Sequence, residues 1–486
     1  MDYDMVIRNG TVVTASDSSR CDIGVKNGRI TTLADNLPPA PQDLDASDKL
    51  VLPGGIDSHC HIEQKSSAGI MCADDFYSGS VSAAFGGTTT IIPFAAQHRG
   101  DSLRDVVHDY HMCAEPKAVI DYAFHLIITD PTESILNEEL PALIQEGYTS
   151  FKVYLTYDLM KIDDYEMLDI LALARREQAM VMVHAENHDI IRWMSTRLLD
   201  GGHAAPKFHA IAHARLAEDE ATNRAIRLAE LLDTPLLFVH VSAPGAIDAI
   251  RAAQTQGLRI YGETCPQYVT LTAQDLDLPD MEGAKFCCSP PPRDAAAQEA
   301  VWQGLRNGTF QVFSSDHAPY RFDETGKLAK GPAATFKDIA NGLPGLELRQ
   351  PILFSEGVNK GRIDVHQFVA LTSTNAAKIY GLHPRKGTIA VGADADLAIW
   401  DPHKEVTVRT EMLNDNVGYS PYEGRTVTGW PVTVISRGRV VVDQGALQVE
   451  RGSGVFLPCS LPQPAKPLGR RPSELDPNRN LGAEIL

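Results

Sequence analysis

Two histidines one residue apart, His59 and His61, lie at the end of an apolar run that begins at Leu50. In a β-strand alternate side chains share a face, so both imidazoles aim at one spot while Cys60 points away. Two imidazoles at one strand end are half of a metal site, although the same short pattern also fits two ordinary loop histidines. Four more apolar runs carry ligand-type residues. Lys152 lies inside residues 150–154, His184 ends 181–184, His240 ends 236–240, and Asp316 follows 312–315. Singly, each has a bland role: a hydrogen-bonded core histidine, a lysine that snorkels to solvent, an aspartate that caps a helix. Together they fall at one end of a single set of strands, with no matching cluster expected at the other end, and that convergence points to a metal centre.

The chemistry fits two divalent ions sharing the centre. Four neutral imidazoles and one carboxylate offer little negative charge to two dications. A buried lysine loses its proton more easily, because desolvation disfavours the charged form. The neutral amine can take up carbon dioxide as a carbamate, which would make Lys152 an anionic bridge between the metals.

The elements that must hold these residues follow from the periodicity. Strand-like runs at 55–63, 88–94, 122–129, 149–157, 180–186, 235–242, 259–264 and 309–315 alternate with helical patterns such as 101–114, 163–178 and 294–306, each opened by an aspartate. Eight such units predict an α/β fold of the (β/α)8 TIM-barrel type, whose chemistry sits at the C-terminal strand ends. Before the barrel, residues 1–53 read as a small antiparallel unit with hairpin turns at Asn9-Gly10 and Asn27-Gly28. After it, β-character returns, with a hairpin expected around Arg437-Gly438. The expected division is a composite β-sandwich domain from 1–53 and 386–460, a catalytic barrel over 54–385, and a C-terminal arm over 461–486. That arm, rich in Pro, Arg and Asn, is expected to be disordered or laid on a neighbouring subunit.

Bulk properties exclude several classes. A formal net charge of −19 argues against nucleic acid or an anionic membrane as partner. No apolar stretch approaches the length of a membrane span, and the acidic start lacks the basic character of a signal peptide, so the expected location is cytoplasmic. The eight cysteines are scattered with no C-x-x-C pair, which predicts free thiols, with Cys60, Cys287 and Cys288 structural. His98, His108 and His111 are expected to be solvated, and His317 to support the neighbouring Asp316.

Longer motifs add a resemblance. They are Pro-Gly-Gly-Ile-Asp-Ser-His-Cys-His at 53–61, Ala-Asp-Asp-Phe at 73–76, Phe-Lys-Val-Tyr at 151–154, Val-His-Ala-Glu at 183–186, Ser-Ser-Asp-His-Ala-Pro at 314–319, Asn-Gly-Leu-Pro-Gly-Leu-Glu at 341–347 and Pro-Tyr-Glu-Gly at 421–424. The chain resembles cyclic amidohydrolases of the dihydropyrimidinase/hydantoinase type, within the metal-dependent amidohydrolase superfamily, over nearly its whole length. The resemblance implies two zinc ions bridged by carboxylated Lys152 and a hydroxide. His59, His61, Lys152 and Asp316 would hold one ion, and Lys152, His184 and His240 the other. Asp316 would shuttle the proton, Tyr157 would polarise the scissile carbonyl, and Ser289 and Asn341 would grip the ring amide, partly through backbone groups. The implied reaction opens dihydropyrimidines such as dihydrouracil, or 5-substituted hydantoins, to N-carbamoyl amino acids, in a homotetramer or homodimer.

Two stretches depart from the family pattern. Related dihydroorotases place an arginine two residues after the second histidine, to bind a carboxylate. Here that position is Glu63, expected to repel an anionic substrate. Residues 64–70 replace an apolar Met-Pro-Phe run with a more polar loop. Another cyclic imide or ureide, as in an allantoinase-like enzyme, is therefore the alternative substrate class, and a non-catalytic scaffold relative is a further alternative.

Overall fold

The computed structural model describes residues 2–66, 68–331 and 333–485. The N-terminal runs form β1 (Met5–Arg8), β2 (Thr11–Val13), β3 (Ser18–Arg20), β4 (Asp22–Lys26), β5 (Arg29–Ala34), β6 (Gln42–Asp45) and β7 (Leu50–Pro53). Asn27 and Gly28 both adopt positive φ, 50° and 75°, and close the β4–β5 hairpin with Lys26 opposite Arg29. Asn9-Gly10 does not close a hairpin: β1 and β2 belong to different sheets. The chain crosses there because Gly10 packs against Val51, whose side chain would lie 2.6 Å from an added Cβ. The unit is also mixed rather than antiparallel, since β1 pairs with β6, and β2 with β7, in parallel.

The barrel strands are β8 (Gly55–Cys60), β9 (Thr88–Ala96), β10 (Asp121–Tyr122), β11 (His125–Ile127), β12 (Ser150–Tyr154), β13 (Met180–His184), β14 (Leu236–Phe238), β15 (Ile260–Thr264) and β16 (Val312–Phe313). β10 and β11 both pair with β9 and are two halves of one strand, so these segments correspond to the eight expected strands. Every ladder between neighbours is parallel. A parallel bridge between Cys60 and His317 joins the last strand end to the first, and the His61 amide donates to the His317 carbonyl over 2.7 Å. The fold is a TIM barrel with additional sheets.

The ladders are shorter than the apolar runs. Residues 235–242 pair only over Leu236–Phe238, and 309–315 only over Val312–Phe313. Beyond the ladders the chain bends at residues of positive φ: His240 at 41°, Asp316 at 48° and Tyr157 at 72°. Such conformations are costly for non-glycine residues and concentrate at functional sites. The helices follow their caps. Asp163 and Glu166 form a capping box for Asp164–Glu177, which ends at Gln178 in the left-handed region, and Asp294 caps Ala295–Arg306. In the 101–114 pattern Ser102 is the cap instead, because the Asp101 carboxylate accepts the His98 amide.

The C-terminal strands are β17 (Leu397–Thr407), β18 (Thr426–Ser436), β19 (Arg439–Asp443) and β20 (Ala446–Leu447). Arg437 and Gly438, both at positive φ, close the expected β18–β19 hairpin. β17 pairs antiparallel with β7, placing N- and C-terminal strands in one sheet of order β20-β19-β18-β17-β7-β2-β3. Residues of the tail lie on the chain's own barrel: Arg259 donates to the Gln463 carbonyl, and Asp233 accepts the amides of Gly469 and Arg470.

The opposite end of the barrel is charged after all. Lys386, 1 % exposed, lies 2.7 Å from Asp121 at the start of β10, 2.6 Å from Asp396 and 3.2 Å from Asp394. Arg437 reaches Asp121 as well, at 2.9 Å. Asp121 lies 265 residues from Lys386 and 316 from Arg437, so there is no local sign in the sequence that these groups meet. Lys386→Met is expected to cost about 3–5 kcal/mol, because it strands buried carboxylates. A denaturant titration measures that loss, and a midpoint within error of the parent would refute it.

Candidate active site

At the C-terminal mouth of the barrel the predicted ligands converge. His59 and His61 do share a face: their Nε2 atoms lie 3.1 Å and 3.6 Å from one oxygen of Asp316. Ligand atoms of these three residues all fall within 4.8 Å of one another. Lys152, from the middle of β12, brings its Nζ to 2.8 Å from His59 Nε2. His240 lies with its ring centroid 5.3 Å from that of His59 and 4.5 Å from that of His184. The floor is Phe94, whose ring lies 4.6 Å below Lys152 Nζ, edge-on to His59 and stacked with His61.

Burial sets the protonation states. It pulls Lys152 down to about 8 and His61 to about 4, and lowers His184 and His240. Neutral imidazoles and a lysine that sheds its proton readily are the forms a metal requires. Burial opposes the Asp316 charge, but His59 and His61 outweigh it and hold the carboxyl well below its usual range. For His59, burial and Lys152 push downward, and the Glu263 and Asp316 carboxylates push further upward.

The donor set fits two divalent cations. Nδ1 of His240 is buried with no protein partner, as befits an atom reserved for another group. The ring nitrogens turned away from the centre are tied down. His59 Nδ1 donates to Glu263 over 2.5 Å, and His184 Nε2 donates to Glu186 over 2.8 Å. His61 Nδ1 donates to the Gln64 side-chain oxygen over 2.7 Å. Such partners fix the tautomer and ring orientation of a ligand.

Tyr157 stands three residues past the end of β12, on the loop, as its parity required. Its phenol faces the side chains of Ser289 and Asn341, and burial drives its pKa up. Ser289 Oγ also lies 3.4 Å from His209, and the side-chain oxygen of Asn341 is buried without a protein partner. All nine residues singled out in the sequence thus line one mouth.

Glu63 faces elsewhere than expected. Its carboxylate accepts from Lys117 and from the Phe76 amide at a helix start, so it does not present a charge to a ligand. The adjacent Gln64 turns inward instead, and Ile70 packs with Cys72, Ala318 and Tyr320. Ser67 of the 64–70 loop lies outside the described residues. His98 and His108 are exposed, but His111 is half-buried, with Nε2 at 2.6 Å from the Tyr148 hydroxyl. The His317 ring binds Asp74 and the Gly345 amide, and it supports His61 only through its backbone carbonyl.

Sequence reasoning missed Glu263, Glu186, His213, Gln64 and Lys327. Glu263 carried a signal, an acid at the end of an apolar run, which is rarely buried without a partner. Glu186 bonds His184 on one oxygen and His213 on the other, 27 residues on. Lys327 sits in a loop among charged surface residues and carried no signal at all.

Residues 50–441 match the amidohydrolase family. The chain is 43 % identical to a D-hydantoinase of Ralstonia pickettii, over 93 % of its own length and 98 % of that relative's. It is 44 % identical to a D-hydantoinase of Geobacillus stearothermophilus, over 93 % and 96 %. The chain belongs to the amidohydrolase family, to its hydantoinase/dihydropyrimidinase type. A crystal structure of dihydropyrimidinase from Brevibacillus agri superposes with a TM-score of 0.92 at 41 % identity, covering 94 % of this chain and 99 % of that one. The chain is accordingly a hydrolase that opens cyclic amides. Among the described residues, no helix is long and apolar enough to cross a membrane.

Proposed function

We propose that this cyclic-amide hydrolase is a binuclear zinc enzyme that opens 5-substituted hydantoins or dihydropyrimidines to N-carbamoyl amino acids. The observation that carries this reading is the convergence of six metal-type side chains beside a Tyr157–Ser289–Asn341 wall at one barrel mouth. His59, His61 and Asp316 would hold one ion, His184 and His240 the other, with carboxylated Lys152 shared between them. When bound, the zinc ions would supply Lewis-acid polarisation of the scissile carbonyl and lower the pKa of bound water to about 7.

The chain's own groups divide the remaining work. Asp316, held ionised, accepts the proton of the attacking water and passes it to the leaving ring nitrogen. The Tyr157 hydroxyl, kept protonated by burial, donates to the oxygen on which negative charge develops. Ser289 and the unpaired side-chain oxygen of Asn341 fix the ring amide. Tyr157→Phe is expected to lower kcat by about 10²–10³-fold with zinc content unchanged, measured by steady-state kinetics beside metal analysis. A kcat near that of the parent would remove Tyr157 from the role.

Glu63, tied to Lys117, presents no charge to the ligand, and Gln64, turned inward, is neutral, which favours a neutral ring. The exposed Met71 and Leu159, on the loops that follow His61 and Tyr157, favour an apolar exocyclic substituent. The eight free cysteines support a reducing, cytoplasmic setting. The exposed Trp193, Ile211 and Leu216 support self-association as a homotetramer or homodimer. The domain division proposed is 1–53 with 386–460, 54–385 and 461–486, supported by the sheet that joins β7 to β17. The test is a turnover panel on zinc-loaded protein: hydantoin, aryl-hydantoins, dihydrouracil, allantoin, dihydroorotate and simple imides. Exclusive turnover of allantoin or an imide would replace the proposed substrates.

A further inference from the structure

We propose that Lys327 is a positioning residue that locks the two ring-gripping loops, at Ser289 and Asn341, into one recognition surface. The inference rests on the reading of those two residues as substrate contacts. Lys327 is wholly buried, at 0 % exposure. Its Nζ donates to the Cys287 carbonyl over 2.9 Å and to the Ala340 carbonyl over 2.8 Å. Cys287 stands two residues before Ser289, and Ala340 immediately precedes Asn341. One ammonium therefore joins the backbones of both loops directly beside the side chains that face Tyr157. A third tie runs parallel, from the Gly342 amide to the same Cys287 carbonyl, over 3.0 Å.

The lysine is delivered by a tight turn. Its own amide donates to the Arg321 carbonyl over 2.8 Å, and an added Cβ on Gly326 would lie 2.2 Å from that oxygen. Among the described residues no carboxylate pairs with its ammonium. A cation buried without an anion is expensive, and a methionine would fill the same space without that cost. What only the ammonium supplies is several charge-assisted donors radiating from one atom, here spent on two carbonyls of separate loops. Loops that hold a substrate within fractions of an ångström need such support, since small misplacements cost large factors in rate or binding.

The test uses zinc-loaded full-length enzyme and the best substrate of the panel. Lys327→Met is expected to raise KM at least about tenfold, with a smaller change in kcat and zinc content equal to the parent. Ser289→Ala and Asn341→Ala serve as reference variants, and Lys327→Met combined with Ser289→Ala should raise KM by less than the product of the single effects. If Lys327→Met fails to fold, Lys327→Gln, a neutral donor in the same pocket, is measured in its place. A lowered melting temperature with KM unchanged, while both reference variants raise KM, would overturn the positioning role. Unchanged KM in both reference variants would instead overturn the assignment of Ser289 and Asn341.

Discussion

Lys152→Ala is expected to lose bound metal and at least about 10³-fold in kcat/KM, while the barrel still folds. Lys152 is the one proposed ligand that both ion sites share. It is 1 % exposed, 2.8 Å from His59 Nε2 and above the Phe94 ring. Without it, two imidazoles remain for the second ion and no anion spans the pair, so mutual repulsion of the dications is uncompensated. Metal content per chain and kcat/KM, read beside a thermal melt, make the measurement. Two ions per chain at the parent rate would refute the bridge. The same chemistry predicts how apoprotein reloads. Burial lowers the Lys152 pKa to about 8, so the neutral amine that reacts with carbon dioxide grows as pH rises through that value. Zinc uptake should therefore quicken with bicarbonate, and more so toward pH 8 than at pH 6.

Asp316→Asn is the second large effect. The expected loss in kcat is about 10²–10⁴-fold, the range of a displaced general acid–base group. KM should change little, because Ser289 and Asn341 are untouched. At least one metal should remain, since His59, His61 and His184 keep their orientation through Glu263, Gln64 and Glu186. The carboxylate is held ionised by the imidazoles of His59 and His61 in spite of burial, and an amide cannot take a proton in its place. Metal analysis with steady-state rates decides the matter: a turnover number near the parent's would show that another group moves the proton.

Both predictions use residues that the sequence disclosed, and the reason lies in the geometry of the barrel. A parallel barrel places its chemistry at equivalent ends of successive strands, so the apolar runs ending in His184 and His240 point to a shared mouth before any coordinates exist. The period of the strand also determined that His59 and His61 face together and that Tyr157 falls on a loop. Caps written locally, such as Asp163, were equally legible.

What depended on contacts across long separations was not legible. Glu263 meets His59 204 residues away, and Lys386 meets Asp121 265 residues away. Lys327 reaches Cys287 across 40 residues. Direction was also hidden where the chain leaves its ladder. The likeness to related dihydroorotases made Glu63 look like a charge presented to substrate. Backbone turns instead aim Glu63 at Lys117 and Gln64 at His61. By itself the sequence determined the barrel, the metal-type side chains and the strand ends that carry them, because these follow from local periodicity. Only the tertiary structure decided which buried groups orient those side chains and which atoms are left free to meet a substrate, because hydrogen-bond partners are chosen by packing across the fold.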